Sequence, residues 1–359
     1  MSHAARLGAL GARLDSLGVD ALLVTSRANI LYLTGFGGTN GVALVRPDGS
    51  TFLTDFRYTE RAAPLEAYMD VRQVERDVMR AACEHLAELA PGAQRIGFES
   101  AHMTVAQHER LVAAASAPPV PTTGAVERLR EVKDMAEQEA VRRSAALIEP
   151  VLARIAADGL VGRSERDIAW SIQETFHEVG ADGMSFPPIV AAHERGSQPH
   201  AEPSSDVIGA GTLVTIDLGG VLDGYCSDCT RTFATGPLPE RLEEAYAICL
   251  EAQLAAMERI RPGLTCKDAD GIARDIITAA GHGEHFGHPL GHGVGLEIHE
   301  DPRLSAISPA TLEPGMVVTV EPGIYLPGLG GVRIEDLVIV TEDGCERLTG
   351  YPKELTTLG

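Results

Sequence analysis

Two acidic residues in one short segment, LVTIDLGGVLDGYCSDCTRTF at residues 213–233, limit how this part of the chain can pair its strands. Asp217 follows an apolar run, and Asp228 lies eleven positions later among small residues. A turn at VLDG would fold the segment into an antiparallel hairpin centred between Leu222 and Asp223. The two carboxylates would then be cross-strand neighbours about 5 Å apart, and like charges placed opposite each other destabilise a hairpin. The segment therefore predicts a cation between the two acids.

Two cysteines of the same segment, Cys226 and Cys229, have the C-x-x-C spacing of zinc and redox sites. Because side chains alternate along a strand, Cys226, Asp228 and Thr230 share one face, and Cys229 points to the other. A zinc or redox pair needs a turn or a helix start that brings its sulfurs together. The chain has no second pair that could complete a zinc site, so both cysteines are predicted to be packing residues.

Histidines are concentrated in a glycine-rich segment, HFGHPLGHGVGLEIHEDP, which holds His285, His288, His292 and His299. His288 and His292 have the spacing of a helical metal-binding pair, but four glycines between positions 287 and 295 are incompatible with a helix. The pattern instead predicts a loop and a strand. Alternation along GLEIHE places Leu296 and Ile298 on one face and His299 on the polar face. Three histidines within twelve residues indicate a site.

Two further acids end or follow apolar strands near the carboxyl end of the chain. Glu321 follows VVTV and precedes a Pro-Gly turn, and an acid there is costly to bury without a cation. In GGVRIEDLVIV, Arg333 and Glu335 fall on one strand face and Asp336 on the other. Carboxylates with little nitrogen and no thiolate suit Mn²⁺, with Co²⁺ or Zn²⁺ as alternatives. Four carboxylates could neutralise two divalent ions, and a closely spaced metal pair is typical of hydrolases.

The 359 residues predict two domains, an α/β domain at residues 1–125 and an α+β domain at residues 126–359. Alternating helix and strand patterns, with a hairpin turning at Pro47–Gly49, indicate the first. In the second domain, long helices and glycine-rich strands predict a curved antiparallel sheet that is covered by helices. One helix is expected from Met135 to Gly159, kinked at Pro150.

Charge and hydropathy exclude several classes of protein. The net charge of −21 disfavours nucleic-acid binding, and no basic cluster offsets it. The sequence contains no apolar run of membrane-spanning length and no signal-peptide pattern, and six cysteines in a chain this long form no disulfide framework. We therefore expect a cytoplasmic protein that binds neither membranes nor nucleic acids.

The motifs DLGGVLDGYCSDCTRTF, HPLGHGVGLEIHE, VEPGIY and VRIED together resemble the pita-bread metallopeptidases, and within them the Xaa-Pro aminopeptidase and prolidase branch. The amino-terminal segments NILYLTGF and LTDFRY resemble the creatinase-type domain more weakly. The resemblance implies a creatinase-like α/β domain followed by a pita-bread catalytic domain. It also implies a homodimer and two divalent metal ions per subunit. Their ligands fall on five positions: Asp217, Asp228, His292, Glu321 and Glu335.

The same resemblance implies roles for the residues around the metal ions. Glu321 is the expected general base, and His299 the residue that stabilises the oxyanion. His200 and His288 are expected to position the peptide and its proline ring. Arg333 is expected to orient the neighbourhood of Glu335, and Thr230 to support the same site.

Alternative functions remain after this resemblance. The segment DFRY favours an Xaa-Pro aminopeptidase, with an Xaa-Pro dipeptidase (prolidase) as the nearest alternative. A methionine aminopeptidase-like enzyme is disfavoured by the leading domain. Metal-free binding modules and a creatine amidinohydrolase share the fold, but they lose the ligand acids that are intact here. The glycines of GFGGTNG do not form the ordered phrase of a dinucleotide-binding loop.

Overall fold

Two units of structure meet in sequence between Arg130 and Glu131 in the computed structural model, which describes residues 1–359. Each unit buries its own apolar core, one formed by strands and helices of the first 115 residues and others formed after residue 140. No helix is long and apolar enough to cross a membrane.

The first unit is an α/β structure around a six-stranded mixed sheet. Its strands are β1 (Ala21–Val24), β2 (Gly41–Arg46), β3 (Gly49–Asp55), β4 (Asp70–Val74), β5 (Ile96–Glu99) and β6 (Val120–Thr122). Its helices are α1 (His3–Arg13), α2 (Arg27–Thr34), α3 (Thr59–Ala62), α4 (Val78–Glu84), α5 (Leu86–Leu89), α6 (Val105–Ala114) and α7 (Glu127–Arg130). The order across the sheet is β4-β3-β2-β1-β5-β6. Arg46 pairs with Gly49, which confirms the predicted hairpin turn.

Five helices belong to the second unit: α8 (Met135–Ala146), α9 (Ile148–Asp158), α10 (Glu165–Glu178), α11 (Glu240–Arg259) and α12 (Cys266–Ala279). Asp134 and Ser164 begin α8 and α10 with complete capping boxes, in which Glu137 and Asp167 return the hydrogen bond. These local signals explain why both helix starts could be read from the sequence.

The single kinked helix expected from Met135 to Gly159 is wrong, because the helix is interrupted at Leu147. Pro150 is the third residue of α9, where its missing N–H requires no partner within the helix. At this position the proline accompanies a new helix start and does not bend a continuous one. Gly159 follows α9 with a positive φ of 73°, as the sequence predicts for a helix end.

The strands of the second unit pair antiparallel throughout, as expected, but their hydrogen bonds are divided among four sheets. These strands are β7 (Gly183–Met184), β8 (Ile189–Ala192), β9 (Leu213–Leu218), β10 (Gly220–Leu222), β11 (Tyr225–Cys226), β12 (Cys229–Ala234), β13 (Gly291–Gly293), β14 (Glu300–Leu304), β15 (Val317–Val320), β16 (Gly323–Leu326), β17 (Gly330–Arg333), β18 (Asp336–Val340) and β19 (Cys345–Arg347). The sheets are β11-β10-β7, β12-β9-β8, β14-β13-β15-β18-β19 and β16-β17.

The predicted register of the acidic hairpin is wrong by two residues. Asp217 lies opposite Thr230, so Asp228 is its diagonal neighbour and not its direct partner. The tight turn is formed by Asp223 and Gly224, which both have positive φ angles, 52° and 83°, and this centres the hairpin one residue later than expected. A shift of two preserves the face, since side chains alternate with a period of two. The two acids therefore still point to the same side.

The two cysteines of the C-x-x-C spacing lie in different apolar cores, which confirms their prediction as packing residues. Both cysteines are buried, and each thiol donates a weak hydrogen bond to a carbonyl oxygen, Cys226 to Leu296 and Cys229 to Glu335. Cys229 lies with Ile216 and Phe233 in the core behind the hairpin, on the face opposite the acids.

Candidate metal centre

Three buried carboxylates converge where β9, β12 and the link from β17 to β18 come together. Oxygen atoms of Asp217, Asp228 and Glu335 all lie within 4.8 Å of one another. Three of their oxygens, Asp217 Oδ1, Asp228 Oδ1 and Glu335 Oε1, are buried without a hydrogen-bond partner. Buried carboxylate oxygens normally have partners, since an unpaired one costs free energy. This cluster therefore fits a bound cation.

His292 and Glu321 complete the cluster from the neighbouring sheet. His292 Nε2 lies 3.3 Å from Glu321 Oε1 and 3.6 Å from Asp228 Oδ2. Thr319 holds both residues. Its hydroxyl donates to Glu321 Oε1 at 3.0 Å and accepts from the backbone N–H of His292 at 3.0 Å. All five residues expected as ligands are thus brought together, and Thr319 is a supporting residue that the sequence did not reveal.

Burial and mutual repulsion set the protonation of these acids. Burial, and then the neighbouring carboxylates, raise the pKa of Asp228 and of Glu335 well above the usual range. Burial also raises the pKa of Asp217. Burial opposes ionisation of Glu321 too, but its contact with His292 lowers the pKa of this carboxyl to about 2. A divalent cation would remove the repulsion, and four carboxylates with one imidazole suit a hard or borderline metal.

Arg333 is buried and donates hydrogen bonds to three side chains of the site. Its Nη2 donates to Asp217 Oδ2 at 2.7 Å, its Nε to Thr230 Oγ1 at 3.1 Å, and its Nη1 to the Tyr325 hydroxyl at 3.0 Å. Thr230 in turn donates to Glu335 Oε2 at 2.7 Å. The expected contribution of Arg333 to the Glu335 neighbourhood is therefore made through Thr230, and its direct ion pair is with Asp217.

The predicted single strand that carries Arg333, Glu335 and Asp336 is also wrong. Arg333 ends β17, Asp336 begins β18, and the residues between them belong to neither strand. Glu335 still faces the carboxylate cluster. Asp336 faces away from it and pairs with Arg231 and Lys353. The break permits this, because the chain passes here from one sheet to another.

A cavity of about 490 Å³ opens onto the carboxylates and is lined by the three other predicted histidines, His200, His288 and His299. The His299 ring lies edge-on to the His292 ring, with centroids 4.4 Å apart. Burial lowers the pKa of both His288 and His299, which favours their neutral forms. The cavity therefore places neutral imidazole groups close to the carboxylate cluster.

The predicted alternation of side chains between two faces is wrong for the segment that carries His299. Residues 294–299 form no strand, and Ile298 and His299 both line the cavity. The close approach at Gly293 and Gly295 explains the irregular path, since a Cβ at either position would lie within 2.6 Å of neighbouring atoms. Glycine-rich segments therefore need the fold before their side chains can be assigned to a face.

Other cavity residues were not identified from the sequence. Tyr325 donates or accepts hydrogen bonds with His288 and Arg333, and its only signal was its position after the Pro-Gly turn. Arg303 also lines the cavity, and it has no ion pair or hydrogen bond to another side chain. The apolar wall includes Phe186, Ile189 and Ile298. No short motif marks these residues, because distant parts of the chain supply them.

Two family models match the chain. The model of metallopeptidase family M24 matches residues 137–342, and that of the creatinase/prolidase N-terminal domain matches residues 6–132. These matches agree with the α/β and antiparallel α+β units described above.

Similar proteins cover almost the whole chain. The Xaa-Pro dipeptidase of Pyrococcus horikoshii is 34% identical over 345 residues, which cover 95% of this chain and 96% of that protein. The structure of Xaa-Pro dipeptidase from Bacillus anthracis is 40% identical, with a TM-score of 0.96 over 99% of this chain and 100% of that one. The structure of X-Pro aminopeptidase from Thermotoga maritima is 32% identical, with a TM-score of 0.86 over 96% and 100%.

Proposed function

Because the chain belongs to metallopeptidase family M24 and is a metallo-exopeptidase, we propose that it hydrolyses the peptide bond of Xaa-Pro dipeptides. The observation that carries the proposal is Arg303, an unpaired cation in the cavity that also exposes the carboxylate cluster. The free carboxylate of a dipeptide lies one residue from the scissile bond, so a cation in the same cavity can bind it. The names of the similar dipeptidases support the same substrate class.

Two divalent metal ions, for which we propose Mn²⁺, would be held by five residues: Asp217, Asp228, His292, Glu321 and Glu335. When bound, such ions polarise a carbonyl oxygen and lower the pKa of a water molecule. The oxygen-rich donor set is the reason for preferring Mn²⁺. The homodimer and the cytoplasmic location stay predictions.

The side chains around the metal cluster would bind the peptide and move protons. Glu321, whose Oε1 accepts from the Thr319 hydroxyl, would accept a proton from the attacking water and pass it to the proline nitrogen. His299 would donate a hydrogen bond to the carbonyl oxygen as negative charge develops there. His200 and His288 would bound the pocket for the proline residue.

A second candidate function, the Xaa-Pro aminopeptidase favoured by the DFRY segment, has support from the likeness to the Thermotoga maritima structure. The two functions differ in peptide length. We expect the Mn²⁺-loaded enzyme to cleave Xaa-Pro and to leave Xaa-Pro-Yaa tripeptides largely intact, as measured by release of the first residue. Efficient cleavage of the tripeptides would establish the aminopeptidase instead.

The variant Arg303→Met tests the carboxylate contact directly. A hydrogen bond to a charged group contributes about 1.5–3 kcal/mol, so KM for free Xaa-Pro should rise by about 10- to 100-fold. KM for the amide Xaa-Pro-NH₂, which lacks the carboxylate, should change little. Arg347→Met, an exposed arginine on β19, is the matched control. Equal effects on the acid and the amide would contradict the assignment.

A further inference from the structure

The segment 286–290 connects a short 3₁₀ turn after α12 to β13 and carries His288. It forms neither helix nor strand, so no secondary structure fixes its path. Its backbone groups must therefore find partners elsewhere, and Leu290 O accepts from the Glu321 backbone N–H at 2.8 Å. The groups that hold this segment therefore determine where the His288 ring lies in the cavity.

Arg274, in the second half of α12, donates to two carbonyl oxygens of this segment. Its Nη1 donates to Phe286 O at 2.9 Å and its Nη2 to His288 O at 2.8 Å. The guanidinium also lies 4.3 Å from the centroid of the Phe286 ring. A planar guanidinium can reach two carbonyls and stack on a ring at once, which a lysine cannot do.

Asp270, one helical turn before Arg274, is fully buried and orients the guanidinium. Its Oδ2 accepts from Arg274 Nε at 2.6 Å, and its Oδ1 accepts from Arg274 Nη2 at 2.9 Å. The same Oδ1 accepts from the Leu290 N–H at 3.0 Å. The pair thus holds both ends of the segment 286–290 from a single helix.

Both ring nitrogens of His288 have hydrogen-bond partners within the protein. Its Nδ1 lies 2.8 Å from Pro289 O, and a carbonyl oxygen only accepts, so Nδ1 carries the proton. Its Nε2 lies 2.9 Å from the Tyr325 hydroxyl and accepts from it. The Phe286 ring lies edge-on to the His288 ring, with centroids 5.1 Å apart. With both nitrogens engaged, His288 presents its ring and not a free hydrogen-bonding group to a ligand.

We propose that Asp270 and Arg274 are positioning residues that set the His288 ring as one wall of the proline pocket. The inference rests on the proposed dipeptidase function, because it assigns the pocket to the proline residue of the substrate. Neither residue lies in the cavity lining, and both act through the backbone of the segment 286–290.

The variant Arg274→Met tests the proposal, with Arg154→Met as its matched control. Arg154 forms an exposed i,i+4 ion pair with Asp158 on α9, so the control removes the same kind of pair from a helix. We expect Arg274→Met to raise KM for Xaa-Pro by about 10- to 100-fold, since a displacement of about 1 Å can cost about 100-fold. The change in kcat and in bound metal should be smaller. Arg274→Lys should give an intermediate KM, and it carries the test if Arg274→Met does not fold.

A second readout does not depend on the substrate. The ¹⁵N resonances of the His288 ring, assigned by comparison with His288→Gln, should shift in Arg274→Met and stay unchanged in Arg154→Met. An unchanged His288 ring, or KM values equal to those of the control, would overturn the positioning role. An enzyme that cleaves no Xaa-Pro dipeptide, but whose His288 ring responds as expected, would overturn the proposed function while retaining the structural part of the inference.

Discussion

Asp228→Asn should reduce kcat/KM for Xaa-Pro by at least about 1,000-fold, because the neutral amide cannot complete the charge of the carboxylate cluster. Asp228 is buried, its Oδ1 has no protein partner, and its Oδ2 lies 3.6 Å from His292 Nε2. The loss should therefore be one of metal binding, and elemental analysis of the purified variant should find less metal per chain than in the wild type.

The same substitution should stabilise the metal-free protein. Without metal, burial and the neighbouring Glu335 and Asp217 disfavour the ionised form of Asp228, and this costs folding free energy at neutral pH. Replacing it with asparagine should raise the unfolding temperature of the metal-free protein, and it should shrink the rise that Mn²⁺ produces. Asp223→Asn is the matched control in the same hairpin, since Asp223 is exposed and asparagine tolerates its positive φ. Full activity and full metal content in Asp228→Asn would refute the assignment of this ligand.

Asp336→Asn should lower the free energy of unfolding by about 3–5 kcal/mol, as expected when a buried charge loses its partner. Asp336 is fully buried and accepts from Arg231 Nη2 at 2.8 Å and from Lys353 Nζ at 2.6 Å. Gln253 and Thr349 also donate to it, at 3.1 and 2.8 Å. The substitution leaves two buried cations without their counter-charge, directly behind the metal cluster.

Denaturant unfolding followed by far-ultraviolet circular dichroism, with Trp170 fluorescence as a second signal, measures this loss. Trp170 is the only tryptophan and lies on α10, so its signal reports the second unit and not the first. Asp223→Asn is again the control, because its partner Arg143 is exposed and surface ion pairs contribute at most about 1 kcal/mol. Equal stability losses in the two variants would show that the buried network is not required.

Three acids of the candidate site were predictable because each one lies beside an apolar run, where an unpaired charge needs an explanation. Asp217, Glu321 and Glu335 stand out in this way without any knowledge of the fold. The register of the hairpin was not predictable, because it depends on which two residues take positive φ angles. Asp223 and Gly224 take these angles, and as a result Asp217 lies opposite Thr230 and not opposite Asp228 as predicted.

Contacts between distant parts of the chain could not be read from local patterns. The contact of Arg333 with Asp217 spans 116 positions, and no periodicity in either strand specifies it. The Asp270–Arg274 pair was equally hidden, since an i,i+4 ion pair on a helix usually marks a solvated surface. Its carbonyl partners in the segment 286–290 appear only once α12 packs beside that segment.

Titration of the metal-free enzyme with Mn²⁺ tests the central claim most directly, with hydrolysis of Xaa-Pro and bound metal measured on the same samples. We predict no hydrolysis without metal, and activity that rises with occupancy and saturates at about two ions per chain. Asp228→Asn should give no comparable rise. Full hydrolysis by the metal-free enzyme, or an identical titration curve for Asp228→Asn, would contradict a metal-dependent Xaa-Pro dipeptidase built on this carboxylate cluster.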